Sequence, residues 1–138
     1  MKKIIMAVSL LVFAVFLVSC APSKGNDPVS IIKANMKAFQ EKNVDNYMAT
    51  ISPKTPGYES TGKMMAQLFQ VYDFKVELKD LKVVSQDTME AKVTFTQIMK
   101  KVKGPDFKDN QIEGIHTLIN SDSGWQIYNT EIKAIKYL

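Results

Sequence analysis

The chain has 138 residues, 18 basic and 14 acidic side chains and a formal charge of +4, a length that fits one domain with a single modest core. All 18 basic residues are lysine, so two-pronged recognition of phosphate or guanine edges by arginine is excluded and nucleic acid is not an expected partner. With one cysteine and one histidine there is no disulfide framework to build, and neither a metal nor a cofactor is expected.

Lys2 and Lys3 precede an uncharged run, Ile4 to Val18, in which only Ser9 is polar. Such a run is short for a membrane span, which needs about 20 residues, and suits the apolar segment of a signal sequence. It ends in Leu17-Val18-Ser19-Cys20, which resembles the lipobox of bacterial lipoproteins at every position. The resemblance implies cleavage between Ser19 and Cys20 and two or three acyl chains, palmitate among them, on Cys20. Each buried methylene contributes about 0.8 kcal/mol, so two chains anchor stably where one does not. The alternative is an ordinary signal or an uncleaved anchor, which leaves a lone extracytoplasmic thiol unexplained. Loss of residues 1–19 removes two lysines, so the sequence pI of 9.1 overstates the basicity of the mature protein. Ala21 to Asp27 mixes Pro, Ser, Gly, Asn and Asp and reads as a flexible tether, at most about 25 Å long. The expected organisation is residues 1–19 as lipoprotein signal, 20–27 as lipidated cysteine and tether, and 28–138 as folded domain. The expected location is extracytoplasmic, with the membrane as a partner through the N-terminal lipid. In a Gram-negative host, Ala21 in place of Asp implies the outer membrane.

Asp27-Pro28 offers a cap and a first-turn proline. Val29, Ile32, Met36 and Phe39 recur at helical spacing, which predicts a helix ending near Lys42-Asn43. A short helix follows on Val44, Tyr47, Met48 and Ile51. Ser52 to Gly57 (SPKTPG) is a rigid loop. A third helix is predicted from about Glu59 to Tyr72, with Met64, Met65, Leu68, Phe69 and Tyr72 on its apolar side. After Asp73 the period becomes two. Phe74, Val76 and Leu78 are in one phase, Leu81 and Val83 in the other, so a bulge is expected near Asp80. Met89 to Phe95 alternates again. Lys103 to Asn110 is a connection, Ile112 to Ile119 a third strand, Asn120 to Gly124 a hairpin loop, and Trp125 to about Tyr137 the last strand. Three helices followed by a four-strand meander make an α+β fold.

This order, with Phe39-x-x-Lys42-Asn43-Val44-Asp45, the Ser52-Pro53 loop and Gly124-Trp125-Gln126-Ile127, resembles the nuclear transport factor two-like superfamily, also called SnoaL-like or cystatin-like. The resemblance implies three helices packed in the concave face of a curved, four-strand antiparallel sheet. It implies a cone that encloses a pocket, and a homodimer through the outer sheet face. Phe39, Tyr47, Phe69, Phe95, His116 and Trp125 are the residues expected to line the pocket.

The enzymatic members of that superfamily need a buried carboxylate base, or an internal histidine with an acid. Here Asp73, Asp80, Asp87, Asp106, Asp109 and Asp122 fall at turns or on polar strand phases. His116 shares a strand face with Ile112, Gly114 and Leu118, and Glu113 lies on the opposite face. No catalytic residue is assigned. The methionines, Met99 apart, read as core filler rather than soft-metal ligands. Lys100-Lys101-Val102-Lys103 with Lys108 reads as a solvated cationic tip. Ile115 and Ile119 give the third strand a second apolar face, which suggests that the outer sheet surface is also covered.

Three functions follow as expectations. The first is a non-catalytic module, anchored outside a membrane, that binds a small apolar ligand or an envelope protein. The second is a small pocket enzyme of the isomerase, dehydratase or hydrolase kind. The third is a structural envelope lipoprotein acting as a dimer.

Overall fold

The computed structural model describes residues 27–138. The expected signal segment, with Ser19 and Cys20, and the expected tether up to Asn26 lie outside the described residues. Helix α1 (Pro28–Gln40) starts where the sequence placed it: the Asp27 side chain accepts from the Ser30 amide at 2.9 Å, and Pro28 occupies the first turn. The α1 stripe of Ile32, Ala38 and Phe39 is buried. Helix α2 (Val44–Ala49) is capped by Asn43, which accepts from the Asn46 amide at 2.9 Å. Helix α3 (Tyr58–Val71) begins at Gly57, which holds φ of 75°.

Strands β1 (Asp73–Gln86), β2 (Glu90–Lys103), β3 (Asn110–Ser121) and β4 (Gly124–Tyr137) form one antiparallel meander in the order β1-β2-β3-β4. The register shifts between Leu78 and Asp80, where the change of hydrophobic phase predicted a bulge. The helices pack on one face of the sheet, with α1 against β1, β2 and β4. The fold class is therefore the α+β arrangement expected from the sequence. Among the described residues, no helix is long and apolar enough to cross a membrane.

Two apolar clusters hold helices to sheet. One joins Ile32 and Ile51 to Ala91, Val93, Leu118, Trp125 and Ile127; the other joins Phe39 to Met65 and Phe69. Ile32, Val93 and Leu118 are essentially inaccessible, and burial of each such side chain contributes about 2 kcal/mol. Cross-strand pairing fixes which residues share the concave face. On β2 these include Ala91, Val93 and Phe95, paired with Leu118, His116 and Gly114 of β3. Ile115 and Ile119 lie on the other face, only partly exposed, Ile115 between Thr94 and Glu131.

The methionine expectation needs correction at two positions. Met64 is 54 % exposed and Met89 65 %. Helix α3 buries only a narrow stripe centred on Met65 and Phe69, because it packs on α2 rather than flat on the sheet. Met64 therefore turns to solvent. Met89 sits in the β1–β2 turn, away from the helices. Met99, which the sequence left outside the apolar faces, packs against the Phe39 cluster.

Candidate functional site

The joint after α1 shapes a cavity at the rim of the cone. The Asn43 amide donates to Ala38 O at 2.9 Å, and the Lys42 amide to Phe39 O at 3.1 Å. This is the Schellman arrangement, in which the residue after the helix cap turns left-handed. That residue is usually glycine, and here it is Lys42, with φ of 57°. The turn aims the lysine ammonium at Asp73, 2.5 Å away at the start of β1. Hydrogen bonding to Lys42, before any other effect, holds the Asp73 carboxyl below its ordinary value.

Next to the turn, Gln40 closes the free edge of β1. Its amide nitrogen donates to Phe74 O at 2.6 Å, and its oxygen accepts from the Val76 amide at 2.8 Å. These contacts hold the end of α1 against β1, beside a cavity of about 280 Å³. Phe39, Phe69, Tyr72, Phe74 and Val102 give it apolar walls, and Gln40, Lys42 and Asp73 rim it. The walls brace one another. Phe39 meets Phe69 edge-on at 5.3 Å, Tyr72 stacks on Phe74 at 5.0 Å, and Phe107 meets Phe74 at 4.8 Å. Such offset and edge-on pairs contribute about 1 kcal/mol each beyond their burial.

Of the residues the sequence put forward as pocket lining, Phe39 and Phe69 line this cavity. Tyr47 stands behind them, 6.3 Å and 6.5 Å from their ring centroids. Burial raises its phenol above the ordinary value, opposed by a hydrogen bond with Asn35. Asn35 in turn donates to Thr50 Oγ1 at 2.7 Å, which donates to Tyr47 O at 2.6 Å. Phe95 and His116 lie elsewhere on the concave face, stacked at 4.3 Å. Trp125 is buried in the other apolar cluster. The six residues are thus divided among three places.

His116 is 8 % exposed. Its Nδ1 is 2.7 Å from Thr130 Oγ1, and burial pushes its pKa down to about 4. It is a neutral imidazole at pH 7, with a hydroxyl and a phenyl ring for company. Glu113 and Glu131 sit on the opposite sheet face, paired with Thr96 and Ile115. Among the described residues, no group of three His, Cys, Asp or Glu side chains converges as a metal site would require.

The sequence reading missed Gln40, Lys42, Asp73, Tyr72, Phe74 and Val102 as cavity residues. One signal was available: Lys42-Asn43 marked a helix junction that lacks the glycine such a turn favours.

Residues 30–138 match the family model described as anti-sigma-I factor RsgI9, C-terminal domain. A curated relative, anti-sigma-I factor RsgI9 of Acetivibrio thermocellus, is 35% identical over 75 residues, which is 54% of this chain and 11% of the relative. The chain thus spans about a tenth of that protein. Among solved structures, a protein provisionally described as an aromatic ring hydroxylase from Novosphingobium aromaticivorans has a TM-score of 0.67 at 11% identity, covering 80% of this chain and 90% of its own. An NTF2-like protein of unknown function from Pseudomonas putida KT2440 has a TM-score of 0.63 at 12% identity, covering 77% and 82%. A dehydratase, again a provisional description, of the NTF2-like family from Streptomyces avermitilis has 0.62 at 12%, covering 74% and 88%. At these identities the structural likeness establishes the NTF2-like fold alone.

Proposed function

The chain belongs to the family of the anti-sigma-I factor RsgI9 C-terminal domain, and from that membership we propose that residues 28–138 are a non-catalytic binding module with a regulatory role, held on the outer side of a membrane. The observation that carries the reading is the family match over nearly the whole folded domain. The relative is a regulator by name, and a domain shared with it is read as a unit that recognises something. The rim cavity supplies a place for recognition. Its aromatic walls suit a small apolar or aromatic group, and the Lys42–Asp73 pair at its rim suits a polar substituent on that group.

The anchoring half of the proposal is supported by Leu17-Val18-Ser19-Cys20. Lipid on Cys20 would confine the module to a shell near the membrane, in the outer membrane of a Gram-negative host. Metabolic labelling with an alkynyl palmitate analogue tests it: label is expected on the wild type and absent from Cys20→Ala. Label retained by Cys20→Ala, or a chain that stays unlabelled, sinks the anchor.

The binding half is tested with the aromatic anion 1-anilinonaphthalene-8-sulfonate. Saturable binding at one molecule per chain is expected. Val102 is an exposed cavity wall, so Val102→Trp should fill the opening without unfolding the domain and weaken binding about tenfold. Binding without saturation, or binding indifferent to Val102→Trp, removes the cavity from the proposal.

A further inference from the structure

The edge of β4 changes character halfway along. At Ile127 the outward main chain is paired: its amide donates to Thr50 O at 2.8 Å, and its carbonyl accepts from the Ser52 amide at 2.8 Å. The Thr55 hydroxyl covers Tyr128 O at 3.0 Å. From Asn129 onward, no element among the described residues pairs with this edge. Ile127 faces the concave side and turns its amide and carbonyl outward. Strand β3 runs against β2 without a register shift, so the β4 residues that pair with its concave-facing set keep the same outward orientation across the extra residues Tyr128 and Lys133. Pairing with His116, Gly114, Ile112 and Asn110 identifies these as Thr130, Ile132, Ile135 and Tyr137. A free edge and an apolar strip therefore coincide. Ile132, Ile135 and Tyr137 are 47 %, 53 % and 63 % exposed.

We propose that this edge pairs with the same edge of a second copy of the chain, the two β4 strands antiparallel about a twofold axis between Lys133 and Ala134. The two sheets then join into one of eight strands. The register follows from a bulge. Opposed residues in an antiparallel pair must share a face, and a regular strand meets that condition with itself only in certain registers. In β4, Gly114 pairs with Ile132 while Glu113 pairs with Ala134, so Lys133 is an extra residue. The concave set steps from Ile132 to Ile135. Opposing Ile132 to Ile135 of the second copy then keeps every face matched, with Thr130 opposite Tyr137 and Glu131 opposite Lys136.

Charge complementarity selects the same register. Glu131 and Lys136 both lie on the outer face, paired with Ile115 and Gln111. The twofold axis makes two Glu–Lys pairs there and two Ile–Ile pairs on the concave side. Shifting by one residue puts Glu131 opposite Ile135 or Tyr137, both of which face the other way. Within one chain Glu131 holds Lys133, and both side chains are at least half exposed, so exchanging that partner costs little. A bulge normally spoils pairing with a foreign strand. Here it favours a partner with the same bulge in the same place, which is another copy of this chain. The opposite edge of the sheet, at β1, is capped by Gln40 at Phe74 and Val76. This interface differs from the outer-face dimer implied by the fold resemblance, and it is independent of what the rim cavity binds.

The test is sedimentation equilibrium of the full chain in a density-matched detergent. A reversible dimer is expected. Glu131→Lys sets like charges opposite at both pairs and should weaken dimerisation about tenfold. Glu131→Lys with Lys136→Glu should restore it. Circular dichroism of each variant separates a lost interface from a lost fold. A monomer up to high micromolar concentration overturns the proposal. So does a dimer indifferent to Glu131→Lys, a double reversal that fails to restore, or a dimer broken instead by Ile115→Asp on the outer face.

Discussion

His116 should make this domain sensitive to mild acid. Its imidazole is buried against Phe95 with its pKa pushed down to about 4, whereas an exposed histidine titrates near 6.5. The unfolded chain therefore binds a proton that the folded chain refuses. Stability from this group is complete above pH 6.5, falls as the pH drops through the window from 6.5 to 4, and levels off below. The full effect is about 3 kcal/mol, and about 2 kcal/mol of it is lost between pH 7 and pH 5. Asp27, Asp73, Glu77 and Asp87 all have lowered values. Their contributions are present above the usual carboxylate range and decline as the pH falls through it, from about pH 5 downward, so they overlap only the acid end of the histidine window and lie below the range from pH 7 to pH 5. Urea unfolding followed by Trp125, the only tryptophan and a buried one, reads the effect at pH 7, 6 and 5. His116→Gln cannot titrate and should lose about 2 kcal/mol less than wild type across that range, whatever its stability at pH 7. Equal losses in the two proteins would refute the reasoning, because they would mean that His116 takes its proton in the folded state as readily as in the unfolded.

Three further substitutions test the local geometry. Gly114→Ala places a methyl 2.4 Å from Glu131 O and 2.8 Å from the Phe95 ring, and the urea midpoint should fall by an amount equivalent to about 2 kcal/mol. Lys42 occupies a left-handed position, so Lys42→Gly should be about 1 kcal/mol more stable than Lys42→Ala, since both lose the Asp73 pair and only glycine escapes the steric penalty. Gln40→Leu removes two hydrogen bonds to the β1 edge, and should cost about 1–2 kcal/mol and speed amide exchange at Val76.

The elements were legible because each carries its own local signature. Asp27-Pro28 starts a helix, Lys42-Asn43 ends one, and the phase change between Leu78 and Leu81 is a bulge written in side-chain alternation. The concave face was legible for the same reason, since Val93, Phe95, His116 and Leu118 follow a period of two. The cavity was not. Its walls come from three separate segments, and what brings Phe39, Tyr72 and Phe74 together is the grip of Gln40 on a strand edge 34 residues away. No periodicity encodes a side-chain amide standing in for a neighbouring strand. Met64 was misjudged because helical spacing defines a face but not how much of that face a neighbour covers.

The position of the free space bears on what the domain can do. Acid–base chemistry in a cone depends on a group kept deep and dry, with its pKa moved by an apolar site toward the working pH. Here the deep position on β3 holds His116, yet burial has moved its pKa away from neutrality, to about 4, and Phe95 is stacked on its ring. The aromatic-walled cavity lies instead at the rim, between Phe39, Phe69, Tyr72 and Phe74, where Lys42 and Asp73 remain about 40 % exposed. Charges so open to water are screened, and their pairing contributes little to stability. They can still orient a polar group that arrives with an apolar one. A rim cavity of this kind favours recognition over chemistry, which is the physical reason for reading the domain as a binding module.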